Sequence, residues 1–145
     1  MTEAKVSLRE GYNATISVGG HTVITDEPLD VPGGQDLGPT PLGLMVGSLG
    51  SCIAVTVKLY ADRKNWPLDG VDVDVSMKRF KAAEYAAYEG DEDFVHEFKV
   101  RVDLKGNLTD EQRARLMEIA GKCPVHRAIV MPAFVFDEMV EPTSV

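Results

Sequence analysis

The sequence predicts an α+β domain built around one long apolar helix. Three observations carry that prediction: an uncharged run from Pro41 to Val57 behind a helix-start signal, two later stretches of apolar–polar alternation, and a second helix start at Thr109. The predicted order is β-β-(β)-α-β-β-α-β, with strands and helices partly segregated, which is the α+β pattern. One domain spanning residues 1–145 holds all of these elements, because a chain of 145 residues supports one core of useful size.

Residues 4–18 alternate loosely, with Tyr12, Ala14, Ile16 and Val18 on one face. Gly19-Gly20 then turns the chain into a return strand from His21 to Thr25. Residues 26–39, rich in Pro, Gly and Asp, read as a loop. Thr40 is a good N-cap and Pro41 suits the first helical turn, where a missing N–H costs nothing. The helix runs from Pro41 to about Arg63, and its apolar residues, from Leu42 and Met45 through Ile53 to Leu59, surround the axis. A helix that is apolar all round must be covered all round, and one small domain struggles to do so, which predicts a partner subunit. Gly43, Gly47 and Ser51 recur every four residues and form a smooth stripe where another backbone approaches. Trp66-Pro67 ends the helix.

Val71, Val73, Val75 and Met77 alternate with polar residues as a half-buried strand. Residues 82–91 read as a hairpin connection, and Phe94 to Leu104 as its return strand. Thr109-Asp110-Glu111-Gln112 is a capping-box start for a helix to about Lys122, ended by Cys123-Pro124. A last short strand, Ala133 to Phe136, precedes a polar tail.

Apolar residues at 44% and charged residues at 26% are ordinary for a folded domain. A net charge of −8 disfavours nucleic acid as a partner, since that needs a basic face. The basic run Lys78-Arg79-Phe80-Lys81 is expected to be split between the two faces of a strand. Pro41–Val57 is shorter than the ~20 apolar residues that span a bilayer, so no membrane partner is expected. The N-terminus lacks a signal-peptide pattern and the chain has two cysteines, which predicts a cytoplasmic protein whose thiols are reactive or simply buried.

Cys52 lies mid-helix, and the residues alone leave its role open. Free cysteine is a common core residue, and a reactive thiolate needs a cation, a metal or a helix N-terminus beside it. None is supplied locally. Cys123 lies where a helix dipole opposes a thiolate, with His126 and Arg127 just beyond it to favour one. That run reads equally as a reactive corner or a helix stop. A metal site from Cys123 and His126 with Cys52 or His96 matches no zinc template, and no metal or organic cofactor is expected. Gly33-Gly34 and Gly38 precede a helix but lack the Walker lysine and the G-x-G-x-x-G spacing, so they read as turn residues.

Gly33-Gly34, Gly38-Pro39-Thr40-Pro41-Leu42 and Leu49-Gly50-Ser51-Cys52-Ile53-Ala54-Val55-Thr56 resemble the central-helix motif of the OsmC/Ohr family, the osmotically inducible protein C-like and organic hydroperoxide resistance-like proteins. Tyr60-Ala61-Asp62-Arg63-Lys64-Asn65-Trp66-Pro67-Leu68 and Cys123-Pro124-Val125-His126-Arg127 resemble its downstream blocks. The resemblance implies an intertwined homodimer in which two central helices pack together inside wrapping antiparallel sheets. It implies thiol-dependent reduction of organic hydroperoxides in oxidative-stress defence, at sites on the dimer interface. By position, Cys52 is the peroxidatic thiol and Cys123 the resolving one, reset by an external dithiol.

Two departures stand out. The family places a glutamate near the start of the central helix and an arginine on the loop before it. Here Leu42-Gly43 replace the acid, and no Arg or Lys occurs between Glu10 and Val57. A cation for Cys52 must then come from Arg127, Arg9 or Lys58. Arg127 is the first choice: it follows Cys123 closely and stays charged at any relevant pH, whereas His126 is often neutral near pH 7. The same departure supports a second expectation, an OsmC-fold stress-associated or binding protein with weak or no peroxidase activity.

Overall fold

The computed structural model describes residues 1–142. Strands β1 (Ala4–Leu8), β2 (Ala14–Val18) and β3 (His21–Thr25) form an antiparallel sheet in that order. The expected run 4–18 is therefore two strands. The chain reverses through 9–13, with Gly11 at φ +61, so that Leu8 pairs with Ala14. Gly19 and Gly20 both take positive φ, as the two-residue turn between Val18 and His21 requires.

The loop that follows is held by an acid the sequence did not single out. Asp26 is buried, and its carboxylate accepts the N–H of Glu27 at 2.8 Å and of Leu37 at 3.2 Å. Its own N–H donates to the Pro39 carbonyl. These bonds deliver the chain to the helix start. Gly34 and Gly38 pack against the backbone of Pro28 and Ile24, where no side chain fits, so the glycines are turn residues.

Helix α1 (Pro41–Arg63) begins as predicted: the Thr40 hydroxyl accepts the Gly43 N–H at 3.0 Å, and Pro41 sits in the first turn. It ends at Arg63, as expected. Asn65 takes φ +54, its N–H donates to Asp62 and that of Trp66 to Ala61, which satisfies the last carbonyls. At 23 residues the helix is long and apolar enough to cross a membrane. In this fold it is a core element: Leu49, Ile53, Val57 and Ala61 face inward, each at most 1% exposed.

Strands β4 (Gly70–Lys81) and β5 (Phe94–Lys105) form an antiparallel hairpin in register from Gly70↔Lys105 to Lys81↔Phe94. Val71, Val73, Val75, Phe98, Val100 and Val102 pack on the core. The basic run is split as expected: Lys78 lies over the Phe80 ring, and Arg79 over Phe94. Helix α2 (Asp110–Ala120) starts with the predicted capping box, Gln112 N–H to Thr109 and Thr109 N–H to Gln112. Leu116, Ile119 and Ala120 are buried, while Met117, expected on the same apolar side, is exposed.

Two further expectations need correction. Cys123-Pro124 ends one helix but starts another, α3 (Pro124–Val130), because proline fits a first helical turn as well as a stop. Residues 133–136 form no strand. They pair with neither sheet, and Phe134 and Phe136 are 82% and 91% exposed; extended apolar chain becomes a strand only beside a free edge. Part of the polar tail, residues 143–145, lies outside the described residues. Within one chain α1 is covered on one side only: Leu42, Val55 and Leu59 remain about half exposed, and the Gly43–Gly47–Ser51 stripe is exposed as well.

On α1 the tight contact with the hairpin falls at Gly50, where a Cβ would meet Val75 Cγ2 at 3.2 Å, whereas a Cβ on Gly47 meets nothing within 4 Å. Gly50→Leu should cost about 1–3 kcal/mol through overpacking against β4. Gly47→Leu should leave the stability of the isolated chain unchanged or raised, because Leu is the better helix former. Urea titrations of both variants check this, and equal losses would contradict the assignment.

Candidate active site

Cys52 lies on α1 one turn after Leu49 and next to Ile53, which places it at the edge of the inward face, half-buried. Cys123 is fully buried at the N-cap of α3, where its Sγ accepts the His126 N–H at 3.2 Å. The fold brings the two cysteines together: Cys52 packs against the core cluster that contains Cys123, close enough to push the Cys123 thiol up. Both are free thiols. Burial pushes the Cys123 thiol above its ordinary value; the His126 N–H pulls it down, and Cys52 pushes it up again. The net shift is upward, so Cys123 stays protonated at neutral pH.

Arg127 sits one helical turn along α3, its N–H donating to the Cys123 carbonyl. Its side chain is exposed, and among the described residues its guanidinium enters no hydrogen bond or ion pair. The single chain brings Cys52 and Cys123 together and leaves Arg127 at the surface. Among the described residues no three His, Cys, Asp or Glu side chains converge to hold a metal ion.

A cavity of about 310 Å³ opens between α3 and the far end of the β4–β5 hairpin. Leu49, Phe98, Val100 and Ile129 supply apolar walls, and Tyr85, His96, Glu97 and His126 the polar lining. The Tyr85 hydroxyl donates to Glu97 Oε2 at 2.7 Å and holds that carboxyl below its usual range, with Lys99 adding to the effect. His126 Nδ1 is buried and has no hydrogen-bond partner. Tyr85 and Glu97 carried no sequence signal. They lie in a connection and on a strand, and only the hairpin register brings them together.

The OsmC-like protein family matches residues 33–137, most of the chain and both cysteines. The chain belongs to the OsmC family. No curated protein matches significantly. Among solved structures, the fold is similar to an OsmC-like protein from Mycoplasma pneumoniae (17% identity, 89% of this chain and 86% of that one, TM-score 0.71). It is also similar to an osmotic stress induced and detoxification response protein from Psychrobacter arcticus (21%, 88% of each chain, TM-score 0.69). A third is the organic hydroperoxide resistance protein OhrB of Bacillus subtilis (22%, 88% and 90%, TM-score 0.60). At these identities the likeness is one of fold.

The different surroundings of the two thiols give an expected order of reaction. Iodoacetamide at neutral pH should label Cys52 ahead of Cys123, because Cys123 is inaccessible and its raised pKa keeps it protonated. Peptide mass spectrometry over time reads this, and raising the pH should narrow the gap. Cys123 labelling first would contradict the assignment.

Proposed function

We propose that this OsmC-family protein is a thiol-dependent reductase of organic hydroperoxides acting in oxidative-stress defence. The observation that carries this reading is the side-by-side placement of Cys52 and Cys123 by α1 and α3, which the core packing creates from distant parts of the chain. The half-buried Cys52 is the attacking thiolate. Its sulfur bonds to the terminal oxygen of the hydroperoxide, the O–O bond breaks, and the alkoxide leaves and takes up a proton to become the alcohol. Cys52 is then a sulfenic acid. Cys123 attacks it, water leaves, and a disulfide joins the two sulfurs. An external dithiol returns both to thiols by exchange, and we place the cycle in the cytoplasm, where such reductants are held reduced.

The exposed apolar side of α1 supports a homodimer in which a second copy covers the Gly43–Gly47–Ser51 stripe. On that arrangement Gly47→Leu, harmless to the isolated chain, acts on association.

A second reading is a binding or stress-associated protein that keeps the fold and turns over peroxide weakly or not at all. Two observations favour it: the exposed Arg127, and the absence of an acid at Leu42-Gly43. One equivalent of an organic hydroperoxide added to the reduced protein separates the two. The enzyme loses both of its thiols per chain, and the binder loses none.

On the first reading Arg127 supplies the positive charge that favours the Cys52 thiolate. Arg127→Ala should then raise the pH midpoint of Cys52 alkylation, with circular dichroism unchanged. An unchanged midpoint removes Arg127 from the site.

A further inference from the structure

We infer that the cavity between α3 and the β4–β5 hairpin binds a small neutral molecule with an apolar body and one hydroxyl or hydroperoxyl group, and that His126 Nδ1 accepts the hydrogen bond from that O–H. The ligand class rests on the peroxidase reading, since a neutral hydroperoxide and its alcohol product both fit this description.

The inference starts from an imbalance in the cavity's polar groups. Glu97 is engaged on both oxygens: Oε2 accepts from Tyr85 at 2.7 Å, and Oε1 faces Lys99 Nζ at 3.4 Å. His126 Nδ1 is different. It is buried, no protein group reaches it, and among the described residues it is the one buried side-chain nitrogen or oxygen in that condition. A buried polar atom without a partner is unfavourable, and folded proteins rarely keep one without a use. Leu49, Phe98 and Ile129 supply apolar walls to the same cavity, with Tyr85, His96 and Glu97 as its other polar lining. A pocket that pairs apolar walls with a buried, unpartnered ring nitrogen suits a ligand with one hydrogen-bonding group on a hydrophobic body.

Its position ties the cavity to the thiols. The His126 N–H donates to Cys123 Sγ while its ring lines the cavity, and Leu49 lies one turn before Cys52 on α1. A ligand held at Nδ1 lies against the residues that adjoin the two thiols along α1 and α3. His126 is thus a positioning residue for the hydroperoxide.

Two measurements on the reduced full-length protein test this. In the first, 2-phenyl-2-propanol is titrated while the Nδ1 resonance of His126 is followed by nitrogen-15 NMR, assigned by its loss in His126→Leu. A saturable shift supports the site, and an unchanged resonance overturns it. In the second, thiol loss is timed against cumene hydroperoxide concentration. His126→Leu should raise the half-saturating concentration about tenfold, as loss of one buried hydrogen bond implies. His126→Asn should stay within about threefold of the wild type, because its side-chain oxygen replaces Nδ1 as acceptor. Wild-type half-saturation in a folded His126→Leu overturns the proposal. Wild-type thiols that stay reduced while the alcohol still shifts Nδ1 would remove the peroxidase reading and leave the binding site standing.

Discussion

The structure depends on one constraint: an uncharged helix must be removed from water. Leu49, Ile53, Val57 and Ala61 form a continuous inward line on α1, and every later element packs on that line. The β4–β5 hairpin covers it through valines at alternate positions, α2 through Leu116 and Ala120, and α3 through Val125 and Ile129. Gly50 lets the hairpin come close enough to do this. Burying side chains of this size stabilises by roughly 1.5–3 kcal/mol each, so the line dominates the energetics of the fold.

The chemistry inherits its geometry from that packing. Cys52 is half-buried because it lies at the margin of the inward line. Cys123 is buried because the junction of α2 and α3 must close over the same line. The two thiols differ in exposure for one reason: they occupy the rim and the floor of a single contact.

Much of the fold was legible from local signals. Thr40-Pro41 and the Thr109–Gln112 box are short-range devices, complete within one helical turn, and both helix starts fall where they predict. Alternation marked β4 and most of β5. The misses share a physical cause, dependence on something outside the local window. Proline at 124 is compatible with a stop or a start, and only the cysteine cap decides between them. Residues 133–136 carry strand-forming side chains, but hydrogen bonding to a neighbour is a property of the fold. Asp26 reads as a loop acid until Leu37 returns to it. The site was half visible: the two cysteine motifs pointed to a thiol pair, while the partnership of Tyr85 with Glu97 and the free nitrogen of His126 exist only in three dimensions.

The sulfur that caps α3 gives that helix an unusual sensitivity. Most caps are oxygens, whose capacity to accept a hydrogen bond is fixed. At Cys123 the acceptor is an atom whose electron density changes with its covalent state: a thiolate accepts strongly, a thiol weakly, and a sulfur bonded to a second heteroatom more weakly still. Modification of this sulfur and the integrity of Pro124–Val130 therefore belong to one closed thermodynamic cycle. Any change at the sulfur that weakens the cap loosens the helix by the same free energy with which an intact helix resists the change. A seven-residue helix has little cooperativity of its own to absorb that loss, so it acts as a local reporter of the state of the atom at its head.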